Sequence, residues 1–448
     1  MLFLLIRSFL SQRSPQQVLV VGFLLLIVVG SILLWLPVSS RDGHDISFHD
    51  ALFTATSAVC VTGLTVVPTG QTFSLFGQIV MMILVQMGGI GFMTMTTWFA
   101  LALGKRISLK ERLIIKESLN QANTEGIVRL IRKVVLYSLV VESAAALLFA
   151  LRWYSEMGPA KALYYGLFHS VSIFNNAGFD LFGGLGAYVN DVPFNIVSIV
   201  LILLGGVGFI VMSDLIDYRR TRRFSLHTKV VLVFSGLLFA FGGFVIFLFE
   251  YTNPVTFGQL GDGSKLLSAF FHSASLRSSG TSTVDISSMR QATQFFMIIV
   301  MFIGAAPGST GGGIKITTFA VLLAAVWTLL RGREDVVLFR NRLSKDLVYK
   351  AVTFTMVGLA LVIVPTMILS VTESGSFLSI LFDTVSAYGT VGHSMGVANE
   401  DLSGFGKTLL VILMFVGRLG PVTLAYALHN KKQRKTLFRY PEGKIIIG

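Results

Sequence analysis

Phe53-Thr-Ala-Thr-Ser-Ala-Val-Cys-Val-Thr-Gly63 is a short, half-apolar segment that runs into a glycine, and the chain repeats it three more times. The other copies are Phe168-His-Ser-Val-Ser-Ile-Phe-Asn-Asn-Ala-Gly178, Phe271-His-Ser-Ala-Ser-Leu-Arg-Ser-Ser-Gly280 and Phe382-Asp-Thr-Val-Ser-Ala-Tyr-Gly-Thr-Val-Gly392. The Phe-to-Gly separation is ten residues in three copies and nine in the third. Each copy lies between two long hydrophobic stretches. A helix that ends in a glycine turn, repeated between membrane-length segments, predicts four re-entrant helices that contribute to one pore. Non-helical backbone is tolerated at membrane depth only where it is buried in protein or lines a wet cavity.

The composition places the chain in a bilayer. Of its 448 residues 53% are hydrophobic and 13% are charged, and the mean hydropathy is +0.75. A soluble domain carries about 25% charged residues. The net charge of +13 does not indicate nucleic acid, because the positive residues sit in loops between apolar stretches, as membrane topology requires. One cysteine, Cys60, excludes an intrachain disulfide. Arg7 and Arg13 precede an apolar run from Val18 to Trp35 that is too long for a signal-peptide core and lacks a small-x-small site after it. It is expected to be a retained first transmembrane helix.

Hydrophobic stretches predict membrane-spanning helices at 16–37, 73–103, 127–152, 193–216, 226–250, 290–330 (interrupted), 348–371 and 405–429. The short segments 47–60, 162–175, 264–277 and 377–389 are the expected pore helices. The predicted fold is an all-α membrane protein: four helix–pore-loop–helix repeats, eight transmembrane helices in all, pseudo-fourfold around one pore. The repeats are 16–103, 127–216, 226–330 and 348–429. Cytoplasmic segments are expected at 1–15, 104–126, 217–225, 331–347 and 430–448. A second glycine set, Gly88-Gly-Ile-Gly91, Gly205-Gly-Val-Gly208, Gly304-Ala-Ala and Gly417-Arg-Leu-Gly420, falls midway along the closing helix of each repeat. Close packing or bending is easiest there.

Most of the 36 Lys and Arg lie in the N-terminus, the three connecting loops and the tail from Lys431, which makes those segments and both termini cytoplasmic. The opposite face carries acids, among them Asp42, Asp45, Asp180, Asp191, Glu250, Asp262, Glu400 and Asp401. Such a face concentrates cations modestly, within a screening length of about 8 Å.

A dehydrated alkali cation needs several oxygen ligands at fixed spacing, and backbone carbonyls provide them where glycine frees the dihedrals. The expected filter residues are Val61, Thr62 and Gly63; Asn176, Ala177 and Gly178; Ser278, Ser279 and Gly280; Thr390, Val391 and Gly392. K+ is the expected ion there. The C-terminal ends of the four short helices also favour a cation between them. Three basic residues, Arg277, Lys315 and Arg418, fall at membrane depth, where a charge is costly and points to function. Arg277 is expected to turn away from the pore and brace its loop through carbonyls or a carboxylate. Gly304, Ala305, Ala306, Pro307, Gly308, Ser309, Thr310, Gly311, Gly312 and Gly313 cannot hold a regular helix, and they lead to Lys315. Glu142 is an acid within a crossing, and a pairing with Lys315 or with Arg418 is open.

These strips resemble the four pore loops of the Trk/Ktr/HKT potassium transporter superfamily over nearly the whole chain. Ser225-Leu-His-Thr-Lys229, Gly417-Arg-Leu-Gly-Pro421 and Arg439-Tyr-Pro-Glu-Gly443 are most similar to the Ktr-system membrane subunit. The resemblance implies K+ uptake, often Na+-stimulated, by a homodimer in which each chain forms its own pore. It also implies a separate cytoplasmic ring of nucleotide-binding RCK subunits, sensing ATP/ADP or a similar nucleotide, and an intramembrane gate at 304–315 below the filter. Glycine at all four filter positions, Gly63 included, is the pattern associated with K+ rather than Na+. Thr281 and His393 depart from the pattern, which more often has an aromatic and an apolar residue there; both are expected at the outer mouth.

The competing reading is an alternating-access secondary cation transporter, which also uses broken helices at the midplane. The same-sense fourfold repeat argues against its two inverted halves. The chain has no His-Glu-x-x-His, Walker or G-x-G-x-x-G motif, so it reads as a transport protein and not an enzyme, with no covalent cofactor, and any nucleotide regulator is a separate chain.

Overall fold

A computed structural model describes residues 14–41, 45–102, 109–118 and 126–428. Residues 1–13, 42–44 (Asp42 among them), 103–108, 119–125 and the tail from residue 429 lie outside the described residues.

The described chain is almost entirely helical. In order come α1 (Pro15–Trp35), α2 (Phe48–Cys60), α3 (Leu75–Ile90), α4 (Phe92–Ala102), α5 (Leu109–Ser118), α6 (Ile127–Met157), α7 (Pro159–Phe174), α8 (Val192–Gly206) and α9 (Phe209–Thr221). They are followed by α10 (Leu226–Glu250), α11 (Asp262–Ser275), α12 (Gln291–Phe302), α13 (Ile316–Leu330), α14 (Lys345–Thr372), α15 (Phe377–Gly389), α16 (Gly404–Leu419) and α17 (Pro421–Leu428). A two-residue antiparallel hairpin, β1 (Val337–Leu338) with β2 (Asn341–Arg342), joins α13 to α14. Local sequence sets the helix starts. Ser14, Ser47, Ser74, Asp191, Ser225, Ser376 and Ser403 each accept a backbone N–H of the first turn on their side chain, satisfying donors that the helix leaves unpaired. Pro15 and Pro159 open α1 and α7, where a missing N–H costs nothing.

Among the described residues, four helices are individually long and apolar enough to cross a bilayer: α1, α6, α10 and α14. Each is followed by one of the short helices α2, α7, α11 and α15. The outward faces of the long helices are apolar: Leu25 and Val28 on α1, and Leu136, Leu147 and Leu151 on α6, are exposed. The polar and small residues lie inward, the reverse of a soluble fold.

The second expected crossing departs from the sequence expectation in three of the four units. The stretches 73–103, 193–216 and 405–429 are not single helices. They break between α3 and α4 at Gly91, between α8 and α9 at Val207–Gly208, and between α16 and α17 at Gly420. Gly91, Gly208 and Gly420 hold φ of 92°, 89° and 82°, which ends a helix at little cost only in glycine. The α8–α9 pair bends by 97°. In the third unit the break widens to the whole loop between α12 and α13, closed by a bridge from Ile303 to Ile314.

The glycines just before three of these breaks have a packing role. A Cβ on Gly88, Gly205 or Gly417 would overlap the carbonyl of Val59, Phe174 or Tyr388 respectively. In each case that carbonyl lies four residues before the strip glycine. The closing segments thus press directly on the C-terminal ends of α2, α7 and α15. The phenylalanines that open the repeated stretches, Phe53, Phe168, Phe271 and Phe382, are all buried in the apolar core behind the strips.

Candidate functional site

The four strips that follow α2, α7, α11 and α15 share one backbone form. Val61, Asn176, Ser278 and Thr390 have φ of 56°, 59°, 99° and 48°, and Gly63, Gly178, Gly280 and Gly392 have φ of 87°, 72°, 64° and 97°. A left-handed residue two positions before a left-handed glycine therefore recurs four times. For β-branched Val61 and Thr390 this conformation is strained by about 1–3 kcal/mol, so the surroundings must hold it.

One serine per helix does the holding. Ser57 accepts the Thr62 N–H on its carbonyl (2.8 Å) and the Gly63 N–H on its hydroxyl (3.0 Å). Ser386 does the same for Val391 (2.8 Å) and Gly392 (3.0 Å). Ser172 accepts the Ala177 N–H on its carbonyl (2.7 Å) and donates its hydroxyl to the Phe179 carbonyl (2.7 Å). Ser275 accepts from Ser279 (2.9 Å) and donates to the Thr281 carbonyl (2.6 Å). Sequence reasoning missed these four, although Phe-x-x-x-Ser is common to all four quoted stretches. The third copy is one residue shorter after this serine, which accounts for its nine-residue spacing.

The strips meet glycine to carbonyl in a closed ring. A Cβ on Gly63 would overlap the Ala177 carbonyl; one on Gly178 would stand 2.5 Å from the Ser279 carbonyl; one on Gly280, 2.5 Å from the Val391 carbonyl; and one on Gly392 would overlap the Thr62 carbonyl. The order 1–2–3–4–1 follows directly. The structure thus brings the twelve sequence-predicted strip residues together, each glycine allowing its neighbour's backbone to approach. Such a ring can present several carbonyl oxygens to one dehydrated cation.

The polar residue after each opening phenylalanine pins the loop beyond the strip in three units. His169 Nε2 accepts the Leu181 N–H (3.3 Å). His272 Nε2 lies 3.0 Å from Ser282 Oγ. Asp383 accepts from Ser394 Oγ (2.6 Å), Met395 N (2.7 Å) and Ala398 N (2.8 Å).

The loop from Gly304 to Gly313 lies against the ring and is laced to three units. Ala306 N donates to the Gly206 carbonyl (3.2 Å) and Phe209 N to the Gly308 carbonyl (3.0 Å), so the loop fills the α8–α9 break. Asn176 Nδ2 donates to Thr310 Oγ1 (2.8 Å), and Gly312 N donates to Thr390 Oγ1 (2.8 Å). Lys315 Nζ turns back onto the Gly311 carbonyl (2.6 Å). Arg418 donates to the carbonyls of Thr310 and Gly88, and to that of Gly89 at 3.3 Å. Ala305, Pro307 and Ser309 complete the loop, with the Ser309 hydroxyl on the Ala306 carbonyl (2.6 Å).

Other sequence expectations are corrected. Glu142 pairs with neither Lys315 nor Arg418; it accepts from Gln86 Nε2 (2.9 Å) and Asn175 Nδ2 (3.1 Å) behind the second strip. Arg277 turns backward as expected, donating to the Ser235 carbonyl (3.4 Å) and hydroxyl (2.8 Å) of α10, and meets no carboxylate there. Thr281 and His393 do not line an outer mouth. They are 3% and 1% exposed, packed behind the ring where Leu64 and Phe179 stand in the first two units, because each lies on the side of its strip that faces the supporting helices.

The cation transport protein model named TrkH matches residues 6–438. The chain is similar to the Ktr system potassium uptake protein B of Bacillus subtilis, at 42% identity over 97% of both chains. It is also similar to the potassium/sodium uptake protein NtpJ of Enterococcus hirae, at 38% identity over 97% of both. Among solved structures, the potassium transporter TrkH from Vibrio parahaemolyticus superposes with a TM-score of 0.73 at 20% identity, covering 94% of this chain and 86% of that one. These relatives are transport proteins and not enzymes. With a match that spans most of its length, the chain belongs to the TrkH family of cation transport proteins.

Proposed function

We propose that the chain is the ion-translocating membrane subunit of a K+ uptake system and that the four-strip ring is its selectivity filter. The observation that carries this reading is ring closure: four strips from distant parts of the chain meet through four glycines that admit no side chain. The repeated alternation of φ sign supports it, since alternation turns successive carbonyls toward one side, whereas extended backbone points them to opposite sides. The relatives' names, potassium uptake and potassium/sodium uptake, point to the same ion. Four units of long helix, short helix, strip and broken helix make eight crossings of a bacterial plasma membrane with both termini cytoplasmic.

In this reading the loop 304–313, with Lys315 and Arg418, is the gate. It contacts strips two and four directly, and Arg418 ties it to the break of the first unit. A loop held by a few hydrogen bonds over glycine-rich backbone has the two arrangements a gate needs. The functional unit is a homodimer with one pore per chain, bound on the cytoplasmic side by a nucleotide-binding RCK ring, and Na+ stimulates its uptake. Flux of K+ or Rb+ into liposomes that contain the purified chain tests the core of the proposal. Accumulation against a Na+ background supports it; equal carriage of Na+ and K+ contradicts it.

A further inference from the structure

The ring is not equally tied around its circumference. Among the described residues, side-chain hydrogen bonds cross one of its four seams, that between strips three and four. On that seam Ser278 Oγ donates to the Thr390 carbonyl (2.6 Å). At a second level, Ser275 Oγ, at the end of α11 three residues before Ser278, meets Nε2 of His393, three residues after Thr390, at 3.1 Å. The other three seams rest on backbone contact at Gly63, Gly178 and Gly392.

Proton counting fixes the roles in the second tie. The single Ser275 proton is committed to the Thr281 carbonyl at 2.6 Å. Its oxygen must therefore accept from His393, so the imidazole carries its proton on Nε2. The opposite tautomer would place an N–H on Nδ1, which is buried and has no partner; an unused lone pair there costs less than an unpaired buried donor. The result is a relay, His393 Nε2–H to Ser275 O–H to Thr281 carbonyl, in which each bond polarises the next. The corresponding positions in the first two units hold Leu64 and Phe179, both 1% exposed, which pack but cannot relay.

We infer that His393 is a specificity-determining residue: through Ser275 it fixes the separation of the Gly280 and Gly392 strips and so the size of cation the ring accepts. The inference rests on the filter reading above. A seam stapled at two levels resists contraction around a smaller dehydrated ion, and a seam freed at one level does not.

The test is the K+ over Na+ preference of the full chain in liposomes, for wild type, His393→Leu, Ser275→Ala, the double variant and His393→Gln. The two single variants each lower the preference several-fold, roughly what one hydrogen bond is worth. The double variant matches Ser275→Ala, because both changes cut the same relay. His393→Gln, whose amide reaches the same serine as a donor, restores most of the preference. Additive single effects, or no effect in folded His393→Leu and Ser275→Ala, overturn the inference. Gly63→Ser in the same assay separates the two levels: if it alters preference while the His393 variants do not, the filter stands and the relay falls. If none alters it, both fall.

Discussion

Asn176, in the second strip, donates its side-chain amide to the Thr310 hydroxyl 2.8 Å away, joining the ring to the intramembrane loop across 134 positions of sequence. Its backbone is left-handed (φ 59°), so the residue that shapes the strip also holds the loop. Asn176→Gly keeps that dihedral and removes the bond. The expected outcome is a folded protein with K+ flux raised several-fold in the absence of any partner, equivalent to about 1 kcal/mol. Wild-type flux in liposomes would separate the loop from the ring.

Arg418 ties the same loop from another side, to the Thr310, Gly88 and Gly89 carbonyls. Charge-assisted bonds contribute roughly 1.5–3 kcal/mol, so Arg418→Ala is expected to raise basal flux about tenfold or more. Arg418→Lys keeps the charge and loses the planar fork. Flux near wild type in Lys and raised in Ala assigns the effect to charge; raised flux in both assigns it to the hydrogen-bonding geometry. Shortening Ala305–Gly313 should act in the same direction as Arg418→Ala. Wild-type flux and control in all of these folded variants would leave the stretch as a packing kink.

The helical character and the placement of the short helices were legible because hydrophobic length and Phe-to-Gly spacing are local signals. The breaks at Gly91, Gly208 and Gly420 were not, since the apolar run continues through each and only the dihedral distinguishes a bend from a packed glycine. The strip residues could be read from the four aligned glycines. Their partners could not, because Asn176 to Thr310 or Arg418 to Gly88 are contacts between units that no local pattern encodes. Glu142 showed the same limit: an acid at membrane depth suggested a basic partner, and two amides from other helices satisfy it instead. His393 was misplaced because a residue beside a strip glycine faces either the axis or the supporting helix, and sequence does not say which.

Ser57 and Ser386 each support a strained strip by accepting the N–H of its glycine at 3.0 Å. Ser57→Ala or Ser386→Ala leaves that buried N–H unpaired, at a cost of about 1–3 kcal/mol. Thermal unfolding of the purified variants should shift downward, and Na+ entry through them should rise. A variant with both unchanged would show that the strip holds its shape without the serine.

Exposed basic residues lie at the β1–β2 hairpin: Arg331 and Arg333 precede it, Arg340 is in its turn and Arg342 is in β2. They provide charge for docking an acidic ring. A soluble nucleotide-binding protein is expected to co-purify from the native cell and to change flux when ATP replaces ADP. Weakening on charge reversal of these arginines, less marked at higher salt, would locate the contact. Full nucleotide control in liposomes with this chain alone would refute the need for a partner.

The ring of strips is expected to discriminate between K+ and Na+. A serine side chain at position 63 must displace the Ala177 carbonyl, opening the ring between its first two strips while α2 and α7 stay anchored through Phe53 and Phe168 in the core. The most direct measurement is the K+ over Na+ preference of purified wild-type and Gly63→Ser chains in liposomes, with folding checked by size exclusion. The expected result is K+-selective uptake by the wild type and a preference reduced in the folded variant. An unchanged preference in folded Gly63→Ser would contradict it.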